Sequence, residues 1–74
     1  MRDATLTITQ RDALTAMANG ALSNVSGMLF KDHKTYFDMG YENRLHFKEA
    51  GYIQMNGDGM YAITPAGRAA LEAK

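Results

Sequence analysis

The chain has no cysteine and no tryptophan, only one proline, and no net charge, because its eight Lys plus Arg are matched by eight Asp plus Glu. Each absence removes a class of answer. Without cysteine there is no disulfide framework and no thiolate metal centre. The two histidines, His33 and His46, stand apart with no second ligand at helical spacing, so the sequence points to no metal and no cofactor. Zero net charge withholds both the basic excess usual in a nucleic-acid domain and the acidic excess of a solvating tail. Any electrostatic binding face must then be local. No apolar run is long enough to span a bilayer, and the opening MRDATLTITQ lacks the apolar core of a secretory signal. The expectation is a cytoplasmic protein with no membrane partner. No internal repeat, linker or low-complexity segment stands out.

What is present is enough for one small domain over residues 1–74. A chain of this size buries only roughly 60% of the surface it exposes when unfolded, so it needs tidy packing or self-association. The hydrophobic fraction of 46% supplies material for a core.

Thr9 followed by Asp12 reads as a capping-box-like helix start, with Ile8 and Ala13 placed for a hydrophobic staple. Ala13, Leu14, Met17 and Ala18 recur at helical spacing up to the Asn19-Gly20 reversal, which predicts a first helix over roughly residues 10 to 19. Around Lys31-Asp32-His33-Lys34, the flanking Met28-Leu29-Phe30 and Thr35-Tyr36-Phe37 read as a hairpin over 28–37. A short helix from Ser26 to His33 is the rival reading. Tyr41 to Ala50 is rich in helix formers and is closed by Gly51. Tyr52 to Met55 and Met60 to Ile63 then flank Asn56-Gly57-Asp58-Gly59 as a second hairpin. Thr64-Pro65 caps and opens a last helix, whose only poor helix former is Gly67. The fold class is α+β, with about three helices.

The stretch Phe47-Lys48-Glu49-Ala50-Gly51-Tyr52-Ile53, the hairpin, and Tyr61-Ala62-Ile63-Thr64-Pro65-Ala66-Gly67-Arg68-Ala69-Ala70-Leu71 resembles the winged-helix DNA-binding domains of bacterial and phage regulators. The likeness covers about a third of the chain closely, and the first helix fits the family's first helix by position. It implies a small winged-helix-like domain with a C-terminal two-stranded wing, acting as a DNA-binding transcriptional regulator. The marginal size of the domain and its need for more phosphate contacts add the expectation of a homodimer, and the lack of room for a catalytic pocket that of a protein that is not an enzyme. The 41–50 helix then takes the place of the recognition helix in the major groove. On that reading Arg44 reads guanine, Asn43 reads adenine, Tyr41 and Lys48 reach phosphates, and His46 joins the same face. Lys31, His33 and Lys34 crowd one turn, which reads first as a plain exposed turn and alternatively as a phosphate-contacting knob; Arg68 reads either as a backbone-phosphate contact or as a stem covering apolar surface. Two positions depart from the family pattern. Asn43 and Arg44 fall where inward apolar residues are usual, and the wing tip carries Asp58 with no Lys or Arg.

Apolar positions Phe47, Ile53, Met55, Tyr61, Ile63 and Leu71, closed by Leu14 and Met17, are the expected core. Six methionines and the aromatics Phe30, Tyr36, Phe37, Tyr41, Tyr52 and Tyr61 exceed what so small a core hides. That surplus, with the acidic wing, supports a second function class: an interaction module, such as a phage-encoded inhibitor or adaptor docking on a host protein. Scattering of Lys31, Lys34, Arg44 and Lys48 over the surface would favour it. The plainest reading of the 41–50 helix is a solvated face with Glu42 and Glu49 as ordinary i to i+4 partners. Ser23, Ser26, Asp32 and His33 hold the letters of a catalytic triad, but a domain this small has little room to bury and orient a base. Gly57-Asp58-Gly59 joins two strands instead of opening a helix, so it is a turn and not a phosphate loop.

Overall fold

The computed structural model describes residues 6–32 and 34–72. The elements run α1 (Ile8–Ala18), β1 (Leu22–Ser23), β2 (Met28–Lys31), β3 (Lys34–Asp38), α2 (Tyr41–Ala50), β4 (Ile53–Met55), β5 (Tyr61–Ile63) and α3 (Pro65–Glu72). The strands form one antiparallel sheet in the order β3-β2-β1-β5-β4. The α+β class holds, with three helices among the described residues. Residues 28–38 are the hairpin, not the helix. A hairpin therefore precedes α2 where a helix-turn-helix would need its first helix.

The first helix starts earlier than expected. Thr7, not Thr9, is the N-cap: its side chain accepts from Gln10 N at 3.1 Å, and Gln10 Oε1 accepts from Thr7 N at 3.1 Å. Thr7-x-x-Gln10 is a full capping box, with the Gln at N3 that the Thr9-Asp12 pair lacks. A tertiary contact accompanies this choice, since Gln10 Nε2 also donates to Asn43 Oδ1 at 3.1 Å and so ties α1 to α2. Ile8 is consequently a first-turn residue, 82% exposed, and forms no staple.

Two turns share one design. In Asn24-Val25-Ser26-Gly27-Met28 and in Asn56-Gly57-Asp58-Gly59-Met60, the Asn side chain accepts from the backbone N–H groups two and four residues on. The Asn backbone N–H donates to the Met carbonyl, and the Gly N–H donates to the Asn carbonyl. Each Gly has positive φ, 93° at Gly27 and 80° at Gly59, which favours a residue without Cβ. An Asn-x-x-Gly-Met repeat thus closes the β1–β2 and β4–β5 hairpins. The pairing of Ser23 with Tyr61 sets the two turns at the same end of the sheet.

The core lies between the sheet and the helices. Leu14, Leu29 and Phe47 are fully buried, and Leu6, Ala13, Met17, Met39, Ile53 and Tyr61 join them, with Ile63 and Leu71 packed alongside. Met55 is the exception to the expected set. It lies opposite Tyr61 at the end of the short β4 and stays 48% exposed. Arginines lace α1 to α3: Arg11 Nη1 donates to Leu71 O at 2.9 Å, and Arg68 Nη2 donates to Ala18 O at 3.4 Å. Each places a cation at the other helix's negative end. Arg68 is occupied in this way, not held out as a free backbone contact.

Candidate functional site: the face of helix α2

Helix α2 begins without a side-chain cap on Gly40, whose φ is 92°; instead Asp38 Oδ1 accepts from Gly40 N at 2.9 Å. It ends at Gly51 in the left-handed conformation, φ 82°, where Tyr52 N donates to Phe47 O at 2.9 Å. The helix packs over β4. Its inward stripe is set by Phe47, and every other side chain follows at about 100° per residue.

That rotation changes the expected contact set. Arg44 is not exposed: it retains 6% of its surface, and its guanidinium lies between two tyrosine rings, 4.9 Å from the Tyr41 centroid and 5.3 Å from that of Tyr61. Nη1 donates to the Tyr61 hydroxyl at 3.3 Å, while the buried Nε has no hydrogen-bond partner among the described residues. Asn43 is half-buried with its amide committed, since Nδ2 donates to Met39 O at 2.7 Å and Oδ1 accepts from Gln10. Both residues take the inward positions where the family pattern places apolar side chains. The groups assigned to guanine and adenine are therefore engaged within the fold. Tyr41, His46 and Lys48 are exposed as expected.

Around the helix, Lys48 and Tyr41 fall roughly 40° and 60° from Arg44, whereas Glu49 and Glu42 fall roughly 140° and 160° away. The outermost surface of α2 consequently carries Glu42 and Glu49, with the half-buried Leu45 beside them. Tyr41, Arg44 and Lys48 form a separate aromatic and cationic flank.

The other basic candidates lie elsewhere. Lys34 is exposed and Lys31 half-buried at the tip of the β2–β3 hairpin, next to the β3 edge of the sheet. Helix α2 sits over the opposite edge, four strand spacings or about 19 Å from β3. His33 lies outside the described residues. The expected basic surface is thus divided among a hairpin tip, a buried position and the last turn of α2, while Asp58 is exposed in the β4–β5 turn.

The sheet face away from the helices carries a shallow groove of about 390 Å³, lined by Gly20, Leu22, Phe30, Lys31, Asp32 and Met60. Leu22 and Phe30 are register partners that alternate with the buried Ser23 and Leu29, which fixes the face they occupy. No group of three or more His, Cys, Asp or Glu among the described residues is arranged to hold a metal ion. No described helix is long and apolar enough to cross a membrane.

Two features lie outside the expectations drawn from the sequence. The Asn-x-x-Gly-Met recurrence was visible in the sequence and predicts the β1–β2 turn. The pairing of Arg44 with Tyr61 had no local signal, because the two residues are 17 positions apart. No family model, curated protein or solved structure matches the chain.

Proposed function

We propose that this chain is a protein-interaction module that docks through α2 and the adjoining β4, on a scaffold resembling winged-helix domains through its α2–β4–β5–α3 segment. The observation that carries this reading is the inward direction of Arg44 and Asn43. With these two committed to the fold, the outermost charged groups of α2 are Glu42 and Glu49, which a duplex's phosphates would repel. A protein partner meets no such penalty. Tyr41, 56% exposed, and Met55, 48% exposed, offer the large adaptable contact area that protein interfaces favour. The division of Lys31, Lys34 and Lys48 between opposite sheet edges points the same way.

The test is an NMR titration of the labelled chain with a random-sequence DNA duplex, first at low and then at physiological salt. Duplex binding without sequence preference is dominated by phosphate contacts and shows itself most strongly at low salt. The expected result is no perturbation of residues 41–48 at either salt. Shifts confined to residues 41–48 that weaken as salt rises would refute the proposal and make α2 a DNA-contacting helix.

A further inference from the structure

Three features meet at one edge of the sheet. First, β4 is an outermost strand, and no described strand pairs with its outer side. Its pairing with β5 fixes which backbone groups are free. Asn56 N donates to Met60 O and Thr64 N donates to Tyr52 O, both at 2.8 Å, so in the antiparallel alternation Gln54 faces β5. Ile53 and Met55 then turn their N–H and C=O groups outward. Second, this edge lacks the usual protection. The opposite edge strand, β3, carries Lys34 and Asp38 and pairs with β2 through an irregular register, whereas β4 reads Ile53-Gln54-Met55 with no charge, proline or bulge. Third, Arg44 belongs to the helix that packs over β4, and it is bonded to Tyr61, the register partner of Met55. An arginine that is 94% buried as a residue, with an unpartnered buried Nε and no described carboxylate bonded to it, is an unusual arrangement, since buried charges are normally paired.

We propose that the outer edge of β4, together with Tyr41, Arg44 and Lys48, docks an extended acidic segment of a partner protein. The segment adds a strand to β4 through the outward backbone groups of Ile53 and Met55. Its residue opposite Met55 projects to the helix side of the sheet, as Met55 and Tyr61 do. A carboxylate there is drawn to Arg44 and Lys48, and it displaces the half-exposed Tyr41 ring to bond the guanidinium through Nε and an Nη. The planar fork of Arg suits a carboxylate in this geometry, and the bond supplies the partner Nε lacks. Glu42 and Glu49 point away from this flank and do not oppose the approach. This inference rests on the protein-interaction reading above and names its partner chemistry.

The experiment titrates the full labelled chain with a short synthetic peptide of alternating Val and Glu, and in parallel with its Val and Gln counterpart, to millimolar concentration. The expected result is amide shifts at Ile53 and Met55 and a shift of the Arg44 Hε signal with the Glu peptide only, weakening with salt. Arg44→Met should lower the affinity by about tenfold to a hundredfold, the scale of one charge-assisted hydrogen bond. Should that variant fail to fold, Met55→Pro removes an outward N–H at an edge position that tolerates proline, and it should abolish the shifts at β4. Equal binding of both peptides would overturn the role given to Arg44. Absence of shifts at β4 with either peptide would overturn the docking site while the duplex titration still stands as the separate test of the interaction reading. Duplex-induced shifts on α2 would instead overturn that reading.

Discussion

Replacing Gly67 with Ala sets two effects of opposite sign against each other. Within a helix, Gly to Ala is worth up to about 1 kcal/mol in favour of folding, and α3 is otherwise built from good helix formers. The tertiary surroundings oppose this. A Cβ on Gly67 would lie 2.4 Å from Tyr52 O and 2.7 Å from Ile63 Cγ1, the first a backbone atom at the start of the β4–β5 hairpin. Ordinary contact begins near 3.4 Å, so α3 would have to retreat by about 1 Å from the sheet. Overpacking of this kind costs about 1–3 kcal/mol. The same displacement stretches the 3.1 Å bond from Gly67 N to Thr64 Oγ1, and losing that cap costs about 1 kcal/mol more. The sum is a destabilisation of about 1–3 kcal/mol after the propensity gain is subtracted, or a fall in Tm of roughly 5–20 °C for a domain of this size. Thermal unfolding followed by circular dichroism measures it, and Ala66→Gly at the exposed neighbouring position isolates the propensity component. An unchanged or raised Tm for Gly67→Ala would refute the close-approach argument.

Thr64 is 9% exposed; its hydroxyl donates to Gly51 O at 2.6 Å while accepting from Gly67 N, so it joins the end of α2 to the start of α3. Thr64→Val keeps the shape and removes both bonds, with an expected loss of about 2 kcal/mol in urea unfolding at unchanged m. Thr7→Ala and Thr9→Ala distinguish the two candidate caps of α1. The first should lower stability by about 1 kcal/mol and the second, at an exposed position, by less than about 0.5 kcal/mol. The reverse order in calorimetry would restore Thr9 as the cap.

Much of this fold was decided by local chemistry and is legible in the sequence. Thr64-Pro65 opens α3 because a hydroxyl acceptor and a missing N–H serve a helix start wherever they occur. Gly51 closes α2 because it adopts the left-handed conformation without strain, and Asn56 to Met60 forms a turn through bonds entirely within five residues. Leu14, Met17, Phe47, Ile53 and Tyr61 lie in the core because apolar spacing identifies a common face. Which flank of a helix meets that core is a different matter. Periodicity fixes the angle between Arg44 and Phe47, but only the placement of Tyr61, from a strand 17 residues on, turns the Arg44 guanidinium inward. The cap of α1, by contrast, is local: Thr7-x-x-Gln10 is the full capping box, and the bond from Gln10 to Asn43, 33 residues away, adds a tertiary tie to it. Gly67 reads locally as a flaw in a helix and becomes a requirement once Tyr52 O lies against it. Short-range hydrogen bonding and backbone sterics are encoded where they act, whereas the direction of a side chain depends on what the rest of the chain brings beside it.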